Sequence, residues 1–174
     1  YISANFEDGK VNMIIGQSGS GKTVLMKSMI GLHQINGGEI IFDTRNGQQN
    51  LAAMSEKEVR MLHREVGMLF QGAALFDSMT VQENVMYPLE MFSDMSRQEM
   101  VERARFCLSR VDMPERAHQL MPSEISGGMQ KRVAIARAIA LNPRYLFCDE
   151  PNSGLDPKTS LVIDQLIQDI TQEY

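Results

Sequence analysis

Three short stretches of the chain carry side chains and backbone suited to phosphate chemistry. Gly16-Gln17-Ser18-Gly19-Ser20-Gly21-Lys22-Thr23 fits the pattern G-x-x-x-x-G-K-[ST], after an apolar run at Val11–Ile15 and before a helical pattern. Glycines there let the backbone curl until successive N–H groups point inward at phosphate oxygens, and the helix N-terminus adds partial positive charge. Lys22 can reach the outer phosphates, and Thr23 supplies a hydroxyl for magnesium. The pattern alone arises by chance in ordinary chains. A strand before it and a helix after it separate this copy from coincidence and point to ATP or GTP.

The second stretch is Arg144-Tyr145-Leu146-Phe147-Cys148-Asp149-Glu150, an apolar run ending abruptly in two acids. A parallel strand would deliver both to the sheet edge that holds the phosphate loop. Neighbouring side chains on an extended chain point opposite ways, so the two acids take different tasks. Asp149 is expected to hold magnesium through water, and Glu150 to orient and polarise the water that attacks the terminal phosphate. Acids often end strands at a solvated edge, and it is the phosphate loop in the same chain that gives this pair a chemical reading.

The third is Ile125-Ser126-Gly127-Gly128-Met129-Gln130, ahead of an apolar helical run through Val133, Ile135, Ala136, Ile139 and Leu141. It presents a hydroxyl and exposed N–H groups at another helix N-terminus. One chain has no second phosphate group that needs it. A dimer in which this loop closes over the ATP held by the other copy's phosphate loop accounts for both features.

Positioning these stretches requires strands alternating with helices, the arrangement of crossover units around a largely parallel sheet. Strands are expected at Val11–Ile15, Glu39–Asp43, Val66–Phe70 and Arg144–Cys148. Helix starts are marked at Lys22, at Ser55 with Glu58, Thr80 with Glu83, Ser96 with Glu99, and at Asp156 followed by Pro157. Between Gln71 and Ser126 no strand pattern occurs, which predicts a helical subdomain inserted into the sheet domain.

A chain of 174 residues with 43% hydrophobic content suits one domain. Its apolar runs fall far short of the roughly 20 residues of a spanning helix, so any membrane role is expected to be peripheral. A net charge of −5 with scattered basic residues offers no footprint for nucleic acid. Cys107 and Cys148 show neither metal-ligand spacing nor a pairing pattern, which suits a reduced, cytosolic setting. Residue 1 is Tyr and a helical pattern still runs at Tyr174, so both ends are expected to continue into a longer protein.

The phosphate loop, Gln71 after a strand, Ser126-Gly127-Gly128, Asp149-Glu150 and Ser153-Gly154-Leu155-Asp156 together resemble the ordered motifs of ABC ATPases across nearly the whole chain. The resemblance implies an α/β P-loop NTPase fold, with a RecA-like core at about 1–71 and 143–174 and a helical subdomain at about 72–142. It implies Mg-ATP as the nucleotide, a second ATPase copy and an integral membrane permease as partners, and a place on the cytoplasmic face of a bacterial inner membrane. It implies that Gln71 senses magnesium and the attacking water, that Ser126 to Gly128 bind the terminal phosphate of the other copy's ATP, and that Asp156 joins the subunits. The adenine-stacking aromatic is then expected upstream of Tyr1 and a switch histidine downstream of Tyr174.

The segment from Val66 to Val81, VGMLFQGAALFDSMTV, is similar to the lipid-transporting Mla type, which implies phospholipid movement between two membranes and, through the permease, a lipid-binding periplasmic protein. Met129 replaces the glutamine usual in the wider family and agrees with that type. Two alternatives share the same site: a translation-type ABC ATPase without permease, and an importer ATPase for another small solute. His33, His63 and His118 are expected at surface or satisfied positions. Met79, Met86, Met91, Met95 and Met100 read first as core filling and second as a pliable groove for a permease helix.

Overall fold

The computed structural model describes residues 2–173. Tyr1 and Tyr174, where the chain is expected to be interrupted, lie outside them. Helix α1 (Lys22–Met29) is followed by a hairpin of β1 (Ile41–Thr44) and β2 (Gly47–Asn50), then α2 (Glu56–Leu62) and β3 (Val66–Leu69). Helices α3 (Val81–Phe92), α4 (Arg97–Arg110) and α5 (Gly127–Ala138) come next, before β4 (Tyr145–Cys148) and α6 (Pro157–Glu173). None of these helices is long and apolar enough to cross a membrane.

The strand that matters most for the site is β4, which pairs in parallel with β3 from Val66↔Tyr145 to Leu69↔Cys148. A parallel pair needs a crossover, and α3, α4 and α5 all lie within this one. These helices pack on one side of the pair. Leu69 meets Val85, Leu89, Leu108, Val133 and Ile135 in the larger core. On the other side Val66, Tyr145 and Phe147 meet Phe42, Leu51 and Leu62. The Tyr145 hydroxyl ties the layers by donating to the Asp43 carbonyl at 3.0 Å and accepting the Asp43 N–H at 3.1 Å.

Local signals fix the helix starts. Ser55, Thr80 and Ser96 each cap a helix, with Glu58, Glu83 and Glu99 reaching back to complete the box. No strand is assigned between Gln71 and Ser126, as the polar and helical patterning predicts.

Two strand expectations are corrected. Val11–Ile15 belongs to no sheet among the described residues, and Val11, Met13 and Ile15 are 54%, 77% and 85% exposed. An apolar run becomes a strand only where a neighbour offers a ladder, and here no described strand is hydrogen-bonded to it. The expected strand Glu39–Asp43 starts later, at Ile41, and pairs antiparallel with β2, so the described sheets are not all parallel. Cys107 and Cys148 are free. Burial pushes their thiols up to about 11 and about 12, which makes both poor nucleophiles near neutral pH. Burial of His118 departs from expectation, because its Nε2 has no partner, whereas His63 Nε2 meets the Ile30 carbonyl at 2.8 Å.

Candidate functional site

The phosphate loop closes onto α1 through Gly21, which caps the helix in the left-handed region at φ 94°, where a side chain would be strained. Lys22 folds back over the loop and donates from Nζ to the carbonyls of Gly16 at 2.9 Å and Gln17 at 3.0 Å. Thr23, in the first turn of α1, donates from Oγ1 to Asp149 Oδ1 at 3.0 Å. That contact spans 126 positions of sequence and puts the helix N-terminus against the end of β4.

Asp149 is buried, and its N–H continues the strand ladder by donating to Leu69 at 2.9 Å. Glu150 follows in the left-handed region at φ 47° and is exposed. A non-glycine residue there carries backbone strain of about 1–3 kcal/mol. The bend turns Glu150 away from Asp149 towards Gln71, whose Nε2 donates to Glu150 Oε2 at 2.6 Å. Beyond it the chain turns, with the Ser153 N–H on the Glu150 carbonyl. Asp156 then caps α6 by accepting the N–H groups of Lys158 and Thr159 at 3.0 and 3.1 Å. The Thr159 hydroxyl, followed by its N–H, holds the Asp156 carboxyl below its ordinary range.

The loop at Ser126 forms the cap of α5, its Oγ accepting the Met129 N–H at 3.3 Å. Gln130 fastens it from behind through the Pro122 carbonyl at 2.9 Å. Gly128 lies so close to α6 that a Cβ there would fall 2.8 Å from Thr159 Cγ2. Thus Thr23, Asp149, Glu150 and Gln71 converge through the Thr23–Asp149 and Gln71–Glu150 contacts and the Asp149–Glu150 link, while the Lys22 ammonium stays on the carbonyls of its own loop. No hydrogen bond among the described residues joins Ser126, Gly127 or Gly128 to the loop of Gly16, Gln17, Ser18, Gly19 and Ser20.

Two cations were not singled out by sequence reasoning. Lys131, on α5, is 4% exposed and donates to the Gln71 carbonyl. Arg137 donates to the carbonyls of Ala73 and Ala74, both at 2.8 Å. The signal for Lys131 was its spacing: it lies one turn before Ile135, on the stripe that faces the core. A charge on that stripe needs a polar partner.

The ABC transporter family model matches residues 1–153. The methionine import ATP-binding protein MetN of Desulfitobacterium hafniense is 41% identical over 99% of this chain, which covers 49% of that protein. The glutamine transport ATP-binding protein GlnQ of Escherichia coli is 39% identical over 99% of the chain and 69% of its own length. The chain spans about half the length of the methionine-import relatives. Among solved structures, a dimeric ATP-binding cassette in a post-hydrolysis state, bound to ADP and phosphate, superposes with a TM-score of 0.86. It is 34% identical, and the match covers 98% of this chain and 73% of that one. The α/β P-loop NTPase fold expected from sequence is therefore the fold of this chain.

Proposed function

Because the chain belongs to the ABC transporter family of ATP-binding domains, we propose that it binds Mg-ATP between two copies and hydrolyses it to energise a membrane permease. The observation that carries this reading is the Thr23–Asp149 contact at the N-terminus of α1, with Glu150 next in sequence. A hydroxyl and a carboxylate at one point are hard oxygen donors of the kind magnesium prefers. No three His, Cys, Asp or Glu side chains among the described residues group into a metal site of their own, so phosphate and water oxygens are the natural remaining ligands. A magnesium ion held there would supply charge neutralisation for the phosphates.

Each residue then has a task. Gly16 to Thr23 supply N–H groups and Lys22 a charge for the phosphates. Thr23, Asp149 and Gln71 would hold the metal. Glu150 takes up the attacking water once its bond to Gln71 is exchanged for one to that water. Ser126, Gly127 and Gly128 retain first-turn N–H groups with no helical acceptor, which suits them to the phosphate of the other copy's ATP.

Names of the relatives favour import of a small solute, methionine or glutamine in their case. A second reading, phospholipid transport with a lipid-binding periplasmic protein, is favoured by the Val66–Val81 segment and by Met129. Either places the chain peripherally beneath the permease, on the cytoplasmic face of the inner membrane. One candidate surface for the permease is a cavity of about 430 Å³ beside α3, lined by Phe92, Met95, Arg45, Arg64 and Arg103. The neighbouring Met91 is 46% exposed, as a pliable contact requires.

The test is Glu150→Gln in the full-length protein. Turnover is expected to fall by about a hundredfold or more with nucleotide affinity retained, the scale of a positioned base. Unchanged turnover would remove Glu150 from this role.

A further inference from the structure

Helix α5 starts at the Ser126 loop, and two of its cations hold the 71–74 loop by the carbonyls. Lys131 takes Gln71, and Arg137 takes Ala73 and Ala74. Ala73 and Ala74 have φ of 62° and 49°, in the left-handed region that alanine avoids. Two successive residues in that region persist only where surrounding contacts over-determine them, and the three carbonyl bonds are such contacts.

We propose that Lys131 is a positioning residue that couples the Ser126 loop to Gln71, so that engagement of one nucleotide site resets the Gln71–Glu150 pair of the other. The inference rests on the roles proposed above for Glu150, Gln71 and the Ser126 loop. Lys131 is five residues from Ser126, about 7 Å along a continuous helix. A shift of that helix end carries the ammonium with it, and the ammonium carries the Gln71 carbonyl. Gln71 is the residue whose amide occupies Glu150. A lysine with so little exposed surface is retained only where its ammonium has charged or polar company. Burial lowers the Lys131 pKa, and the charges of Asp149, then Glu150 and Cys148, oppose that lowering. Lys131 thus reaches from the helix capped by Ser126 to the backbone of Gln71, the residue that holds Glu150.

The experiment compares Lys131→Met, Lys131→Arg and Glu150→Gln in the full-length ATPase. Methionine keeps the unbranched stem and removes the charge. For Lys131→Met the expected result is a fall in kcat of about tenfold with KM for ATP within about twofold, the signature of an interaction used after binding. Hydrogen exchange at amides 72–75 should accelerate while Val85 and Leu89 in α3 stay protected. Lys131→Arg, which restores a donor to the Gln71 carbonyl, should recover most of the rate. A kcat unchanged in Lys131→Met overturns the inference, as does a loss that tracks a lowered melting temperature and is not rescued by arginine. If Glu150→Gln is inactive while Lys131→Met is not, the inference alone fails. If Glu150→Gln is active, the underlying assignment fails first.

Discussion

At Gly67 the chain has no room for a side chain. A Cβ there would lie 2.4 Å from the Ala138 carbonyl oxygen and 3.2 Å from Leu146 Cδ1. The first of these is backbone, so the clash cannot be relieved by a rotamer change. Gly67→Ala is expected to destabilise the protein by about 1–3 kcal/mol, the range for overpacking a filled core, measured by denaturant unfolding. It should also lower turnover, because β3 leads to Gln71 and pairs with the strand that ends at Asp149. Sequence reading placed Gly67 in a strand without this reason, since an approach between β3 and the end of α5 is a fact of packing and leaves no local pattern. Lys131 was hidden for a similar reason: its partner is a carbonyl 60 positions away, and carbonyls leave no mark in a sequence.

Helix starts show the opposite case, where a few neighbouring residues decide the structure. Thr80 accepts the Glu83 N–H at 3.2 Å, and Glu83 accepts the Thr80 N–H at 2.8 Å. Thr80→Ala should therefore cost about 1 kcal/mol of stability, read as a lower denaturant midpoint. The Thr80 N–H, and then its hydroxyl, hold the Glu83 carboxyl below its ordinary value. Its contribution is thus present above the unfolded pKa of about 4.3 and lost as pH falls through the lower folded value. In Glu83→Gln that part of the acid loss should disappear from the stability profile. All three capping boxes were legible because each is closed within four residues. The β1–β2 hairpin was not, because Gly47-Gln48-Gln49-Asn50 has no apolar alternation. For Val11–Ile15 the composition was read correctly and the ladder was not, since β pairing depends on a distant partner.

For the whole molecule, the phosphate loop and the Ser126 loop belong to different halves of a two-copy site on the reading proposed here. That reading predicts complementation in the full-length protein. Lys22→Met and Ser126→Arg copies should each be inactive, while an equal mixture should regain up to about a quarter of the wild-type rate, because a symmetric pair of mixed copies restores one of its two sites. Measuring turnover across mixing ratios checks it, and a mixture as inactive as its components refutes it. The separation of Thr23 from Asp149 by 126 positions also has a consequence during synthesis. At about 5–20 residues per second, the phosphate loop emerges on the order of ten seconds before the strand it must meet. Contacts this distant in sequence are the slow ones to form. A nascent chain of this protein therefore carries helices α1 to α5 and their caps before it carries a pocket, and its ability to hold a nucleotide waits for the emergence of β4.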